Sequence, residues 1–325
     1  MRDLVEDIFV KNFDNELLAP LEDQARMDLT EFNALGPRLV MTTDSYVVDP
    51  IFFPGGDIGK LAVAGTVNDL AVSGATALYL SAGMIIEEGF AIKELNAVVK
   101  SMQKTANSAG VKIVTGDTKV VHKNSADKIY INTAGIGVVA DGINISAKRA
   151  RPGDKVLVNG FIGDHGAAIV GAREDMALKN NIQSDCGPLN HLIRDMLKVC
   201  PDIHCMRDAT RGGVATVLNE FAAGSKVAIK IYEKNIKIRD EVRGMCEILG
   251  FDPLYLANEG KLVAIVPEQY ADKVLDAMCR NPAGRDSVII GEVVNKPEGV
   301  VFMSTLFGAE RMLDMLVGEQ LPRIC

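Results

Sequence analysis

The chain ends on a cysteine, and a thiol at the last position is more available for chemistry than for a core. The closing stretch, residues 318–325, has helix breakers and no apolar period, which predicts a mobile arm. Eight extended residues reach about 26 Å, so such an arm could carry the sulfur of Cys325 from one site to another. A thiol reacts only as an exposed thiolate of low pKa. An accidental terminal cysteine is the alternative that sequence chemistry leaves open.

Aspartates form the second group of residues suited to chemistry. Asp69 is the one acidic residue in the otherwise apolar stretch 59–73, where an unpaired carboxylate would cost several kcal/mol and must meet a cation or hydrogen-bond donors. Other aspartates stand at the ends of apolar segments, inside a strand pattern or in an acidic connector: Asp23, Asp44, Asp117 and Asp208. Mg²⁺ prefers a few carboxylates together with phosphate oxygens. The set therefore predicts Mg²⁺ held against nucleotide phosphates.

Each of these acidic residues also has a purely structural interpretation. Asp69 could form a salt bridge or a capping contact, Asp208 could cap the helix that follows it, and Asp117 could be a turn residue. Glu259 precedes a predicted strand and is either a turn residue or a positioned base. A zinc site in residues 200–205 is disfavoured, because the cysteines and histidine there lack Cys-x-x-Cys spacing and a second half.

Glycine-rich stretches offer phosphate cradles without a strong motif. Residues 55–61 resemble a P-loop with the wrong glycine spacing, and residues 135–140 fit a dinucleotide pattern inside a strand rather than before a helix. Residues 163–166 and 210–213 open predicted helices, where free N–H groups favour anions. Tight turns that need glycine explain these stretches at least as well.

Alternating strands and helices must position these residues. The first half predicts an N-terminal helix within residues 1–35, a β-rich run at 39–48, a helix at 59–73 that is apolar on nearly every side and hence buried, and an amphipathic helix at 91–109. Strands are predicted at 76–86, 111–121, 128–139, 155–160, 226–232, 260–266, 286–294 and 299–305. Further helices are predicted at 164–174, 188–199, 211–224, 239–249 and 268–280. Residues 141–154 are the best linker candidate, so the pattern predicts two α/β domains.

Composition narrows the class of protein. The 325 residues are 48% hydrophobic and 24% charged, with a formal net charge of −8 and a pI of about 5.2. No basic cluster is interleaved with aromatic residues, which argues against a nucleic-acid partner. No run resembles a signal peptide or a membrane span, so no membrane association is expected. Six cysteines without Cys-x-x-Cys spacing fit a reducing compartment, and a cytoplasmic location is expected.

Several ordered segments together resemble the HypE family of hydrogenase maturation factors. The segments that carry the resemblance are 43–50, 55–61, 67–74, 115–121, 163–167, 207–213, 258–262 and the terminal 322–325. The family belongs to the AIR synthetase and selenophosphate synthetase-like (PurM-like) superfamily. The resemblance implies an α/β fold with α+β type layers and a two-domain PurM-like ATP-binding architecture. The expected parts are an ATP-binding and dimerisation domain at 1–143, an α/β domain at 150–315 and a flexible tail at 316–325.

The resemblance also implies a reaction and partners. The carbamoyltransferase HypF would place a carboxamide on the terminal cysteine, and the chain would use ATP to dehydrate this S-carboxamide to an S-cyanate. The cyano group would pass to iron on a HypC–HypD complex for the NiFe-hydrogenase active site, and the chain would act as a homodimer. The alternatives are a thiol carrier or scaffold without turnover, and another ATP enzyme of the superfamily. A selenophosphate synthetase is disfavoured, because its reactive Cys or Sec would stand near the N-terminus.

The match to the family's motifs implies roles for individual residues of this sequence. It implies that Mg²⁺ is held by Asp44, Asp69 and Asp208, and by Asp23 with less weight, while ATP or its phosphates contact Asp44, Asp69, Asp117, Lys119 and Asp208. Glu259 and Lys119 are the implied bases for the amide, and Cys325 is the substrate carrier. One departure is that a glycine-rich segment normally precedes the first helix, whereas this sequence begins at Met1 inside it. Weakened ATP binding or turnover is therefore expected, compared with a chain that carries the segment.

Overall fold

The N-terminal helix and the short helix after it confirm that the chain begins with helical structure. The computed structural model describes residues 4–21, 24–173, 181–316, 318 and 323–325. A π-helical turn, Val5–Val10, continues into the α-helical Lys11–Phe13 and buries its apolar side chains against the first domain. Helix α1 (Leu29–Leu35) begins after Asp28, whose carboxylate accepts a hydrogen bond from the Thr30 N–H.

The first half of the chain forms a four-stranded sheet in the order β1-β6-β4-β5. Its strands are β1 (Arg38–Tyr46), β4 (Ala75–Glu87), β5 (Lys112–Val121) and β6 (Ile129–Val139), and a small hairpin of β2 (Phe52–Phe53) and β3 (Gly56–Asp57) follows β1. β6 pairs antiparallel with both β1 and β4, while β4 and β5 are parallel. All four strands predicted for this half are confirmed to within a few residues.

Two helices cover one face of this sheet. Helix α2 (Ile58–Val72) is buried on nearly every side, as its all-round apolar sequence predicts, and α3 (Ile92–Ala109) packs beside it with one apolar face. The carboxylate of Asp57 caps α2 by accepting from the N–H groups of Gly59 and Lys60. A side chain at Gly65 would meet the Tyr46 hydroxyl at 2.4 Å, so this glycine lets α2 lie close against β1.

The other face of the first sheet, here called the open face, is largely uncovered. Leu39, Met41 and Ile85 on this face have exposed fractions of 61%, 70% and 43%. Helix α1 reaches only one end of it, where Phe32 packs against Tyr79 with ring centroids 5.9 Å apart. Exposed apolar side chains on a flat sheet are typical of an interaction surface.

The second half forms a seven-stranded mixed sheet in the order β13-β12-β9-β11-β7-β10-β8. The strands are β7 (Lys155–Val158), β8 (Cys205–Asp208), β9 (Ala228–Tyr232), β10 (Leu262–Val266), β11 (Val288–Val294), β12 (Val300–Ser304) and β13 (Glu310–Met312). The helices are α4 (Asp164–Ala172), α5 (Asn190–Val199), α6 (Gly213–Ser225), α7 (Asp240–Leu249) and α8 (Glu268–Arg280). Only β9 and β12 pair in parallel.

The central strands of this sheet are buried on both faces, because helices pack on each side. Val263 and Ile265 of β10 join the cluster that contains α6, whereas Leu262, Ala264 and Val266 join the cluster that contains α5 and α8. This alternation with a period of two explains why the strand reads as a continuous apolar run.

Most elements predicted for the second half are confirmed, with two omissions. The short strands β8 and β13 have no clear pattern in the sequence, because four and three residues are too few for a periodic signal. Residues 141–154 contain no helix or strand, and each side of them carries its own sheet, while the exact bounds 1–143 and 150–315 stay a prediction. No helix in the described part of the chain is long and apolar enough to cross a membrane.

Candidate active site at the docked C-terminus

The last three residues of the chain are docked between the two domains. The N–H groups of Val47 and Asp49 donate to the carbonyl oxygens of Cys325 and Arg323, both at 3.2 Å. The side chain of Ile324 is only 8% exposed and belongs to the core cluster of the first domain. Residues 323–325 therefore have a docked position that the sequence does not predict, while the flexibility expected for the tail at 316–325 stays a prediction.

The docked tail brings Cys325 into a cavity of about 250 Å³ together with most of the predicted site residues. The cavity is lined by Thr43, Asp44, Gly65, Asp69, Asp208, Thr210, Arg211, Glu259 and Cys325. Residues from both domains and from the tail contribute, so no single segment of the sequence could form it. Four predicted acidic residues and the terminal thiol thus line one cavity.

Each carboxylate of this cavity is held by a regular element. Asp44 lies near the end of β1, and Asp69 lies in the last turns of α2, where its Oδ2 accepts a hydrogen bond from the Thr42 hydroxyl at 2.9 Å. Asp208 is the last residue of β8, opposite Leu262 at the start of β10. Asp208 does not cap α6, whose N-cap is Gly212. Asp69 has a hydroxyl partner and no salt bridge among the described residues, and its role at a metal stays a prediction.

The acidic residues of the cavity raise one another's pKa values. Burial raises the pKa of Asp208 to about 7, and the neighbouring Asp69 and Asp44 add to the effect. Burial, followed by Asp208 and Asp185, raises the pKa of Glu259 well above its usual range. Glu259 Oε1 is buried without a hydrogen-bond partner in the described part of the structure. Four acidic side chains line the cavity together with one arginine, Arg211, which leaves an excess of negative charge, so the residues present fit a bound cation.

The carboxylates do not form a complete metal site by themselves. Among the described residues, no three His, Cys, Asp or Glu side chains are placed so that they could hold one metal ion. Mg²⁺ commonly takes one or two protein carboxylates and completes its shell with substrate phosphates and water. An incomplete carboxylate set is therefore compatible with a metal that arrives together with a nucleotide.

Glu259 is positioned by an aspartate that the sequence did not single out. Asp185 accepts hydrogen bonds from the N–H groups of Glu259 at 3.0 Å and of Gly260 at 3.1 Å, and it pairs with Lys261 at 3.1 Å. Burial acts to raise the pKa of Asp185, but Lys261 and the Glu259 N–H outweigh it and hold that pKa below its usual value. Asp185 stands in no recognisable motif, so only the fold reveals its role.

Arg211 is a second residue that the sequence did not assign. Its Nε donates to the sulfur of Cys325 at 3.4 Å. Burial raises the pKa of the Cys325 thiol to about 12, and Arg211 acts in the opposite direction. The neighbouring Gly212 and Gly213 have φ values of +71° and +60°, so here the need for glycine in a tight turn explains the glycine pair.

Asp117 and Lys119 do not lie in this cavity. Across the sheet, Asp117 of β5 is aligned with Gly83 of β4 and Ser45 of β1, and Asp44 is one residue away from Ser45. Because side chains alternate along a strand, Asp117 and Asp44 point to opposite faces of the sheet. The Asp117 carboxylate pairs with Lys119 at 3.0 Å on the exposed edge strand β5. The pleat directs both residues to the open face, away from Glu259 of the same chain, and their roles at the nucleotide and the amide stay a prediction. The turn interpretation of Asp117 is wrong, since it lies inside β5.

The remaining candidates have other outcomes. Asp23 lies outside the residues that the structure describes. Cys200 and Cys205 are buried, and His204 Nδ1 lies 2.7 Å from the carboxylate of Asp154, so this stretch is a structural part of the second domain. A larger cavity of about 540 Å³ lies between the N-terminal helix and strands β4 and β5, and Asp117 lines it.

Comparison with known proteins identifies the family. The models of the AIR synthase related protein match residues 22–139 with the N-terminal domain and 151–304 with the C-terminal domain. The carbamoyl dehydratase HypE of Rhodobacter capsulatus is 51% identical over 325 residues, covering 100% of this chain and 95% of the relative. A crystal structure of the maturation protein HypE in complex with ATP is 47% identical with a TM-score of 0.94, covering 100% of this chain and 96% of that one. A HypE–HypF complex is 49% identical with a TM-score of 0.83, covering 96% and 99%. The chain therefore belongs to the carbamoyl dehydratase HypE family, built from the two AIR synthase related domains.

Proposed function

We propose that this protein is an ATP-dependent dehydratase that converts an S-carboxamide on its own Cys325 into an S-cyanate. The cyano group then serves as a ligand of iron in the maturation of NiFe hydrogenases. The observation that carries the proposal is the shared cavity of Cys325, Glu259 and the aspartates Asp44, Asp69 and Asp208. The ATP complex of a 47% identical relative supports ATP as the second substrate.

The proposed chemistry uses ATP to make a leaving group. The carboxamide oxygen attacks the γ-phosphorus of ATP, so that an O–P bond forms and ADP departs. The amide nitrogen then loses two protons, the C–O bond breaks, phosphate leaves and a C≡N bond remains on the sulfur. Because oxide is a poor leaving group and phosphate a good one, the phosphoryl transfer makes the elimination possible.

Glu259 is the proposed acceptor of an amide proton. It is 2% exposed, and Asp185 fixes its backbone, so the carboxyl group has a defined place beside Cys325. A carboxylate with a raised pKa is a stronger base than an ordinary one. Mg²⁺ bound through Asp44, Asp69 or Asp208 would neutralise the phosphate charge and lower the proton affinity of Glu259.

The docked tail supports a dehydration rather than a hydrolysis. Ile324 is 8% exposed and Cys325 lines the cavity, so the docked tail covers part of the site against solvent. A phosphorylated amide would be destroyed by water before elimination in an open site. Exclusion of water by the substrate-bearing tail protects such an intermediate.

The homodimer is proposed to form through the open face. Leu39, Met41 and Ile85 give this face apolar surface that the described residues leave uncovered, and Asp117 and Lys119 lie at its β5 edge. In a two-fold dimer of such sheets, the β5 edge of one protomer approaches the partner's surface. Lys119 would then serve a site whose acidic residues come from the other chain, with the nucleotide between the two subunits.

The proposed partners follow from the tail. A carbamoyl donor enzyme, HypF, must reach Cys325, and a solved complex of a 49% identical relative supports this pairing. Transfer of the cyano group to a HypC–HypD complex is proposed from the family resemblance. Both steps need the tail to leave its docked position, because the sulfur lies in a cavity of this chain.

The test is the intact mass of the protein after incubation with HypF, carbamoyl phosphate and Mg-ATP. We expect carbamoylation of Cys325 and then loss of the mass of one water. A Cys325→Ala chain is the matched control and should keep its original mass. A carbamoylated protein whose mass stays unchanged with Mg-ATP would overturn the proposal in favour of a carrier without turnover.

A further inference from the structure

The second domain also contacts the backbone of the tail. Cys325 and Arg323 accept hydrogen bonds from the segment after β1, and Arg173 Nη2 also donates to the Arg323 carbonyl at 3.1 Å. The carbonyl of Ile324, between them, lies 2.7 Å from Nε2 of His165 in the first turn of α4. These contacts therefore hold the tail from both sides.

His165 is well suited to hold a fixed hydrogen bond. The ring is fully buried and stands edge-on against Phe53, with centroids 5.5 Å apart. Its Nδ1 lies 2.8 Å from the hydroxyl of Ser184. Burial lowers the pKa of His165, so the ring is neutral and carries one N–H. A carbonyl oxygen only accepts, hence Nε2 holds the hydrogen and Ser184 donates to Nδ1.

The hydroxyl of Ser184 links this ring to the candidate base. Ser184 Oγ also accepts from the Cys186 N–H at 3.0 Å, so the turn around residues 184–186 is fixed. Asp185 in the middle of that turn accepts from the N–H groups of Glu259 and Gly260. The tail carbonyl and the backbone of Glu259 are thus joined through one imidazole and one turn.

We propose that His165 is the positioning residue that docks the tail and sets Cys325 in register with Glu259. This inference rests on the proposed function for its effect on dehydration, but docking itself can be measured without any turnover. The ordinary alternative is a buried histidine that only fills the core. The docking role and the packing role predict different effects of losing each ring nitrogen, because only Nε2 contacts the tail.

Two substitutions distinguish the roles of the two ring nitrogens of His165. The amide of glutamine reaches the position of Nε2, whereas the shorter amide of asparagine reaches the position of Nδ1. His165→Gln should therefore keep the donor to Ile324, and His165→Asn should lose it while retaining a partner for Ser184. Asparagine is one methylene smaller than glutamine, so His165→Leu, which is similar to glutamine in volume but has no donor, is the packing control and should behave like His165→Asn.

The first measurement is the labelling rate of Cys325 by a thiol reagent in a Cys279→Ser background. Cys279 is exposed and the other four cysteines are buried, so Cys325 is then the thiol that labels readily. We expect His165→Asn to label about tenfold faster than the parent, the effect of one lost buried hydrogen bond, and His165→Gln to label close to the parent. Equal labelling of the two variants would overturn the proposal.

The second measurement is single-turnover dehydration of the carbamoylated chains with Mg-ATP. We expect His165→Asn to be about tenfold slower than His165→Gln in dehydration, while loading by the carbamoyl donor, which uses the undocked tail, is at least as fast as in the parent in both. If the parent chain itself does not dehydrate, the proposed function fails and the labelling result still decides the docking role. If the parent dehydrates and the variants match each other, the docking role fails.

A stability comparison covers the case in which the variants are too unstable for kinetics. The loss of Tm caused by His165→Asn should be larger in the full chain than in a chain ending at residue 322, because the tail contact exists only in the former. An equal loss in both chains would assign His165 to packing alone.

Discussion

The Nε of Arg211 donates a hydrogen bond to the sulfur of Cys325 at 3.4 Å, inside the cavity that holds the acidic residues. Burial nevertheless raises the pKa of this thiol to about 12, so the docked sulfur is protonated at neutral pH. Only a thiolate is strongly nucleophilic. Docking therefore protects the free thiol, and loading with a carbamoyl group belongs to the undocked tail.

The first prediction concerns the pH dependence of Cys325 labelling. An undocked cysteine has a pKa near 8.5, whereas the docked thiol has a pKa of about 12. The docked state binds the proton more tightly, so docking is at full strength below the lower value and weakens as the pH rises toward the higher one. In the Cys279→Ser chain, labelling should keep rising well above pH 8.5. A free peptide of the tail sequence is the control and should level off near that pH, and a protein curve that coincides with it would contradict the prediction.

The second prediction concerns Asp69 and Asp208. Asparagine at either position should reduce Mg-ATP-dependent dehydration by about 100-fold or more, since a metal contact is worth several kcal/mol in the transition state. Without Mg²⁺ the Tm should stay equal or rise slightly, because the substitution removes a carboxylate whose pKa is raised by burial and by its acidic neighbours. Single-turnover mass spectrometry and thermal unfolding measure the two effects. Asp276→Asn, on the exposed face of α8, is the matched control and should change neither.

That pair of measurements also separates an enzyme from a carrier. A carrier without turnover needs no cation, so Asp69→Asn would leave the mass of the modified protein as it is in the parent. If Asp69→Asn or Asp208→Asn instead lowers the Tm of the metal-free protein, the carboxylate has a structural role.

The third prediction concerns Glu259. The isosteric Glu259→Gln should slow dehydration by about 10²- to 10⁴-fold, the usual contribution of a positioned base, while carbamoylation of Cys325 continues. The fold should be retained, because glutamine is isosteric with the native side chain and burial already disfavours its charged form, raising the pKa of Glu259. The measurement is accumulation of the S-carboxamide form by intact mass. Accumulation of the S-cyanate form at the parental rate would exclude Glu259 as the base.

The fourth prediction tests whether Lys119 acts across a dimer. Lys119→Met and Asp69→Asn should each be nearly inactive alone. If the two residues serve one site from different protomers, mixed dimers contain one intact site, and an equal mixture should recover about a quarter of the parental activity. The measurement is dehydration after the two proteins are unfolded and refolded together. No recovery would mean that both residues serve the same chain or that Lys119 has no catalytic part.

The local elements of this protein are largely determined by its sequence. The all-round apolar stretch of α2 predicts a buried helix, and the apolar run of β10 predicts a strand, because burial and periodicity are properties of consecutive residues. A carboxylate in a buried helix, as at Asp69, indicates a site for the same reason. The sequence also carried the family resemblance, which the comparisons confirm.

The assembly of the site was decided only by the tertiary structure. Arg211 and His165 contact the tail and Asp185 holds the backbone of Glu259, all through contacts between segments far apart in the chain, and such contacts leave no periodic signal. The side on which Asp117 and Lys119 lie depends on the pleat and register of the sheet, where a shift of one residue reverses the face. The sequence of the tail predicts a mobile arm because its apolar residues have no helical or strand period. The tail docks because Ile324 finds an apolar space and its backbone finds partners that two separate domains provide.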